Sequence, residues 1–429
     1  MTVYLHSLGC DKNLVDSELM LGLLYEDGYK SASDPAQAEM IIVNTCGFIQ
    51  EAVEEGIETI LEMAAYKTDG ICKKLVVTGC MAQRYRDEIV AEIPEIDAIL
   101  GVNDFPKITG KDFDILDDEL YVKRAATMPF HVAYVKISEG CDNNCTYCTI
   151  PAIRGAYRDR AFESVVSECA RLIAGGAKEL VLLAQDSAHY GMKLYGRQRL
   201  HELLTEIAKL DGLGWVRVMY VYPEHIYPEL LDVISGDEKI CSYLDMPVQH
   251  CHDDVIRRMG RKSSYASLTA LVGKLREKNI TIRTTLITGF PGETDEEFSL
   301  LRQFVKEARF DHLGVFAYSR EDGTPAAEMK PQIKEAVKTA RRNELMALQA
   351  EIAEENGLTY IGKTLKVIVD GSVGEDGGKF AYCGRSQRDA YDVDGAVFFS
   401  SELEWLSGDF VELEIINAKG YDLYGELSE

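Results

Sequence analysis

The stretch Gly140-Cys141-Asp142-Asn143-Asn144-Cys145-Thr146-Tyr147-Cys148 decides how the rest of this 429-residue chain reads. It follows an apolar, β-type run from His131 to Ser138, so three cysteines at spacings of four and three share one loop after a strand. Three thiolates placed so closely suit an iron–sulfur cluster, because soft sulfur ligands favour that metal chemistry. A fourth cysteine nearby would complete an electron-transfer cluster or a structural zinc site. The next one, Cys169, shares a helical face with Val165, Val166, Leu172 and Ile173 and reads as core. The loop therefore supplies three ligands, and an iron without a protein ligand is a place for chemistry. Structural zinc and chance thiols are the alternatives the loop alone leaves open.

Outward from the loop, apolar runs predict strands near Ala133–Ser138, Glu179–Ala184, Val216–Val221, Tyr243–Val248, Thr281–Thr288 and His312–Ala317. Helical periodicity fills the gaps near Glu163–Ala174, Leu200–Leu210, Pro228–Ser235, Tyr265–Lys278 and Asp295–Ala308. Six β/α units are too few to close an eight-stranded barrel, so an open, partial barrel is expected. Chemistry then belongs at the carboxyl ends of the strands, and the first such end is the Cys141–Cys148 loop. Later ends carry Gln185-Asp186-Ser187, Tyr220-Val221-Tyr222-Pro223, Gln249-His250 and Gly289-Phe290-Pro291-Gly292. Cys241 and Cys251 flank the fourth strand and read as core. His250 and His252 have metal-compatible spacing, yet cysteine clusters already account for the metal demand, and Arg257-Arg258 with Arg261-Lys262 read as a solvated basic patch. A long helix, Ile333 to Asn356, closes this region.

Upstream, three apolar runs each end in a cysteine: Val3 to Cys10, Ile41 to Cys46 and Leu75 to Cys80. Helix-like segments follow each, roughly Asn13–Glu26, Phe48–Lys67 and Ala82–Glu92. Strands alternating with helices imply a parallel sheet whose site lies outside the carboxyl ends. One such cysteine would read as core; three in the same strand-to-helix position read as ligands of a second cluster. Gly9, Gly47 and Gly79 beside them permit close approach of a bulky group. Cys72 precedes its strand and reads as a bystander. Ile96–Val102 suggests a further strand, and Phe113–Glu119 an acidic linker.

After Gly357 the pattern shifts to short alternating runs: Lys366–Val369, Gly378–Tyr382, Ala396–Phe399 and Phe410–Ile415. Such spacing with Gly and Asp turns predicts a small antiparallel barrel, in which Cys383 suggests nothing by itself. From Tyr360 onward six Lys and Arg stand against fourteen Asp and Glu, and the whole chain carries a formal charge of −25. A surface that grips nucleic acid should be basic, so a cationic protein partner fits better. No apolar run approaches the ~20 residues of a bilayer span, which excludes a membrane-spanning role. The N-terminus lacks the basic and cleavage regions of a signal peptide. Eleven cysteines, several on loops, suit metal ligation in a reducing, cytoplasmic setting rather than a disulfide framework.

The Cys141–Cys148 loop, with Tyr147 before its last cysteine, resembles the signature of the radical S-adenosylmethionine (SAM) enzymes. Strand-end cysteines, radical loop and terminal β module, in that order, resemble the methylthiotransferases of that superfamily and cover essentially the whole chain. The terminal module resembles a TRAM domain. The resemblance implies three domains: 1–122, a parallel α/β domain; 123–357, a partial (β/α)6 barrel; and 358–429, a TRAM-like barrel. It further implies two [4Fe–4S] clusters, on Cys10, Cys46 and Cys80 and on Cys141, Cys145 and Cys148, each with one open iron. SAM would serve as methyl donor and radical source, held by the open iron and by Tyr147, Gln185, Gln249 and Gly289. A one-electron donor such as a flavodoxin or ferredoxin is implied too. Ser7-Leu8-Gly9-Cys10-Asp11-Lys12-Asn13, Gln249-His250, and Arg388-Asp389-Ala390 with Val393-Asp394-Gly395 resemble the branch acting on a small-subunit ribosomal protein, at an aspartate β-carbon. Tyr391-Asp392 and Cys251 depart from that branch's pattern. The alternative is a branch that modifies a tRNA adenosine, against which the acidic terminal module weighs.

Overall fold

Runs of β-branched and aliphatic residues build three main sheet systems, beside a short antiparallel pairing of Ser138–Glu139 with Arg158–Asp159, in the computed structural model, which describes residues 1–428. The first is a five-stranded parallel sheet in the order Lys30–Ser31, Thr2–Ser7, Met40–Thr45, Lys74–Gly79, Ala98–Leu100. Met40–Thr45 is buried at every residue because helices cover both faces, Asp11–Glu26 on one and Gln50–Asp69 on the other.

Two segments differ from expectation. The helix read as Ala82–Glu92 begins at Cys80 and breaks at Tyr85 into Cys80–Arg84 and Arg86–Glu92. Tyr85 leaves the helical region (φ −124°, ψ 33°), which ends the first piece and starts the second. Phe113–Glu119 is no free linker: Ile115 is buried, and a short helix, Asp118–Val122, buries Leu120 and Tyr121 against the first helix. The acidic residues around these apolar positions masked the packing.

The second system has six parallel strands in two hydrogen-bonded triplets. Val132–Lys136, Glu179–Leu183 and Trp215–Val218 form one; Tyr243–Asp245, Thr281–Thr288 and His312–Ala317 form the other. The Val221 amide donates to the Asp245 carbonyl at 2.8 Å across the join, so the strands make one open arc. Leu and Ile from strands and outer helices fill the layer behind the arc. Helix Asp11–Glu26 of the first sheet packs on Val132 and Tyr134 of the first arc strand, seating one α/β layer against the other.

The third system is a closed barrel of Thr364–Asp376, Lys379–Ser386, Val397–Ser401, Asp422–Leu427 and Phe410–Lys419. The fifth strand, Asp422–Leu427, was not expected; its glycine and acidic residues hid an alternating pattern. It closes the barrel by pairing parallel to Val397–Ser401, so one pairing departs from the antiparallel scheme. Glu429, the last residue of the expected third domain, lies outside the described residues. Among the described residues no helix is long and apolar enough to cross a membrane.

Candidate functional site

Parallel topology brings the carboxyl ends of Thr2–Ser7, Met40–Thr45 and Lys74–Gly79 to one edge, and with them Cys10, Cys46 and Cys80. Two turns there require glycine. Gly9 (φ +88°) would place a Cβ 2.7 Å from Cys46 Cβ, and Gly79 (φ +97°) one 2.4 Å from Asn44 Oδ1. Asn13 pins the three loops together. Its Nδ2 donates to the Leu8 and Thr45 carbonyls at 3.1 and 3.0 Å, and its Oδ1 lies 3.6 Å from Cys80 Sγ. Cys10 is exposed, Cys46 half-buried and Cys80 buried. Burial pushes the Cys46 thiol up, and that of Cys80 to about 12.

The radical loop is fixed at both ends. Cys141 donates its N–H to the Gly155 carbonyl at 3.1 Å, and Thr146 donates to Met259 at 3.0 Å. The Asn143 amide reaches Cys141 Sγ at 3.4 Å, and the Tyr222 hydroxyl stands 3.7 Å from Cys145 Sγ. Tyr147 packs edge-on against Phe290. Burial lifts the Cys141 thiol to about 11 and that of Cys148 to about 12.

Thiol spacing tests what these triads can hold. Three thiolates ~2.3 Å from one zinc ion would stand within about 4 Å of one another. Among the described residues, two sets of three ligating side chains bring their donor atoms within 4.8 Å: Asp186/His189/His225 and His252/Asp254/Glu297. Neither cysteine triad is among these sets, and three thiols on one loop or one sheet edge suit an iron–sulfur core. The Asp186 carboxylate is already engaged by Asn143 Nδ2 (3.1 Å), His225 Nδ1 (2.5 Å) and the Tyr222 amide (3.4 Å). It therefore reads as a brace on the radical loop.

Strand ends of the arc supply two acceptors without donors. Gln185 donates Nε2 to Glu139 at 2.7 Å, while its Oε1 is buried and unpartnered. Gln249, in the left-handed region at φ +69°, likewise has a buried, unpartnered Oε1. Leaving a buried acceptor unsatisfied costs about 1–3 kcal/mol, so both oxygens suit the donors of a bound cofactor. Gly289 has a reason within the protein: a Cβ there would meet Lys338 Cγ at 2.3 Å.

Between the triads runs a buried charge network that sequence reading missed. Arg154, six residues past Cys148, donates Nη2 to Asn13 Oδ1 at 2.6 Å and Nη1 to Glu139 and Asp16 at 2.9 and 3.2 Å. Lys136 joins the same two carboxylates at 3.0 and 2.5 Å. Burial works against the charged form of Glu139, but Arg154 and Lys136 outweigh it and hold the carboxyl well below its usual range. A lysine inside an apolar strand was the available signal. Arg261 is a correction: read as solvated, it is buried, stacks 4.1 Å over the Tyr222 ring and pairs with Glu224 at 3.1 Å. Cys72, Cys169, Cys241 and Cys251 lie in apolar clusters, and His250 is buried, its imidazole pushed down to about 3 by desolvation.

An open six-stranded arc with a three-thiol loop at its first strand end defines a radical SAM protein. Residues 135–305 match the Radical SAM superfamily, residues 2–101 the Uncharacterized protein family UPF0004, and residues 361–427 the TRAM domain. The fold is similar to radical S-adenosylmethionine methyltransferase TsrM from Kitasatospora setae. The TM-score is 0.55 at 15% identity, covering 88% of this chain and 79% of that one. The chain is 48% identical to ribosomal protein uS12 methylthiotransferase RimO of Lachnoclostridium phytofermentans, with 99% of each covered. It is 46% identical to the protein of that name from Acetivibrio thermocellus, covering 98% and 97%. The chain belongs to the RimO family of methylthiotransferases.

Proposed function

We propose that this protein methylthiolates the β-carbon of an aspartate in ribosomal protein uS12, using SAM as both methyl donor and radical source. The observation that carries this reading is the pair of three-thiol sites, one at the sheet edge and one on the loop after the first arc strand, joined by the Arg154 network. Cys141, Cys145 and Cys148 would hold one [4Fe–4S] cluster, and Cys10, Cys46 and Cys80 the other. When bound, these clusters and SAM supply a low-potential electron, a hydrogen-abstracting radical and the methylthio group. The chain's own residues bind and orient. Gln185 and Gln249 would accept hydrogen bonds from SAM, Tyr147 would line its site, and Gly289 would shape the fifth loop. Asp186 holds the radical loop through Asn143. An electron donor of the flavodoxin or ferredoxin type would approach this side, in the cytoplasm.

The division into 1–122, 123–357 and 358–429 gives the terminal barrel a docking role. Its Arg385 and Arg388 are buried, Arg385 reaching Glu179 of the arc at 2.5 Å. Glu375, Glu402, Glu404, Glu412, Glu414 and Glu426 remain exposed outside. Turning arginines inward leaves an outer face suited to a basic ribosomal protein and repellent to a phosphate backbone. The test offers reconstituted enzyme both uS12 and unmodified tRNA. Methylthio-aspartate in uS12 is expected; methylthio-adenosine with unmodified uS12 overturns the reading. Iron near eight per chain should fall by about half when Cys10, Cys46 and Cys80 become Ala.

A further inference from the structure

We propose that Glu321 is a positioning residue that holds the Cys46 and Cys80 loops to the far edge of the arc and so couples radical formation to methylthio transfer. This rests on the function proposed above. The edges of the arc are its first strand, Val132–Lys136, and its sixth, His312–Ala317. The first domain is tied to both. At the first edge, helix Asp11–Glu26 packs on Val132 and Tyr134. Beyond the sixth strand the tie is one carboxylate, Glu321, whose side chain is 5% exposed. Its Oε2 accepts from Arg84 Nη1 at 2.8 Å, and its Oε1 accepts from the Gln50 amide at 3.2 Å and the Ser319 hydroxyl at 2.5 Å. Arg84 and Gln50 each stand four residues past a cysteine of the sheet-edge triad, Cys80 and Cys46.

Glu321 supplies what the first domain does not supply for itself. Helix Gln50–Asp69 has Ile49 at its N-cap position and no side-chain cap. Its first amide and the positive end of its dipole are met instead by a carboxylate from the arc. Arg84 fastens the other side of the contact, donating Nη1 to the Gly47 carbonyl at 3.0 Å and Nη2 to the Asp322 carbonyl at 3.1 Å. Gly47 packs backbone to backbone on the Cys80 turn: a Cβ there would stand 2.7 Å from the Met81 nitrogen and 2.9 Å from the Cys80 carbonyl carbon. The Cys46 and Cys80 loops are thus one packed unit, and Glu321 is the grip of the sixth strand on it. Capture of a methylthio group by a substrate radical depends on the register of the reacting atoms, where about 1 Å of misplacement costs on the order of 100-fold. SAM cleavage at the Cys141–Cys148 loop does not need that register. Loosening Glu321 should therefore leave radical formation intact and waste it.

The competing role for Glu321 is an ion pair that stabilises the fold and nothing more, and a yield ratio separates the two. Reconstituted holoenzyme is supplied with SAM, reductant and uS12, and two products are counted: deoxyadenosine from SAM cleavage, and methylthio-aspartate. Glu321→Ala should raise deoxyadenosine per methylthio-aspartate about tenfold or more, with total deoxyadenosine and iron content as in wild type. Glu321→Gln keeps an acceptor for the Gln50 amide but loses the ion pair, so its ratio should rise less. Arg84→Gln should raise the ratio from the other side of the contact, and the double variant Glu321→Gln/Arg84→Gln should be no worse than the worse single. In the cluster-free protein, amide hydrogen exchange at residues 47–51 should quicken in Glu321→Ala. A wild-type ratio, a parallel fall of both products, halved iron or unchanged exchange overturns the assignment. If Glu321→Ala does not accumulate, Glu321→Gln and Arg84→Gln decide by the same ratio. A wild type that leaves uS12 unmodified overturns the substrate reading beneath it, and exchange then decides whether Glu321 holds the loops.

Discussion

At the scale of single residues, Arg154 is where both halves of the site meet. Its guanidinium is shared by Glu139 and Asp16, and its other arm holds the Asn13 that ties down the cysteine loops. Arg154→Met would leave two buried carboxylates with Lys136 alone, and breaking such a buried pair costs about 3–5 kcal/mol. Urea unfolding of the cluster-free protein should register that loss. Iron per reconstituted chain should also fall toward half as Asn13 loses its anchor. Arg154→Lys restores charge but not the planar fork, so its loss should be smaller. An Arg154→Met protein as stable as wild type would remove the network from the account. The cysteines were legible because a thiol on a loop narrows the chemistry by its type alone. Arg154, Lys136 and Arg261 were not, because sequence proximity does not say which long side chain turns inward.

At the scale of elements, the strand-to-helix turns do the positioning. Gly79→Ala would force a Cβ against Asn44 Oδ1 at a positive φ, displacing Cys80 at the start of its helix. The expected outcome is destabilisation by about 1 kcal/mol or more and loss of the auxiliary cluster only, read as iron near half with the radical cluster's spectrum intact. Across the arc, Gln249→Leu should weaken SAM binding roughly tenfold without changing iron content, because one acceptor is lost. Equilibrium binding of SAM to the reconstituted variant checks this, and unchanged affinity would take Gln249 out of the cofactor site. The long strands were readable because β-branched runs recur before each cysteine and each polar strand end. The elements misread were those whose pattern is interrupted. Tyr85 breaks a helix, and Gly425 sits amid the last barrel strand. Acidic residues surround the buried Ile115 and Tyr121.

At the scale of the whole molecule, the question is what holds the barrel to the arc, since the proposed docking role requires the barrel to keep a fixed orientation toward the two triads. The seam is made of buried charges. Glu179 accepts from Arg217 at 2.9 Å and from Arg385 of the barrel at 2.5 Å. Asp370 takes His131 at 2.9 Å and Arg385 at 2.8 Å, and Trp215 packs edge-on to Phe410 beside them. Burial opposes ionisation of Glu179 and Asp370, but these partners outweigh it and hold both carboxyls below their usual values. A carboxyl depressed in the folded state stabilises fully above its unfolded value and loses that contribution as pH falls through the folded one. The contribution of these two carboxyls should therefore be constant near neutrality and weaken below about pH 4, the ordinary carboxylate range. Salt should distinguish it from the outer face. Exposed glutamates are screened, so uS12 binding should fall with ionic strength, whereas the buried seam should hardly respond. Glu179→Gln gives the sharper trial. It leaves Arg217 without a carboxylate and Arg385 with Asp370 alone, so the variant should be less stable at pH 7 by about 3 kcal/mol or more. It should also lose the wild type's extra acid sensitivity. Denaturation midpoints taken from pH 7 down to pH 3, with Trp215 emission reporting the seam, should converge for the two proteins as the pH falls. Parallel curves across that range would mean Glu179 contributes no pH-linked stability and that apolar packing alone docks the barrel.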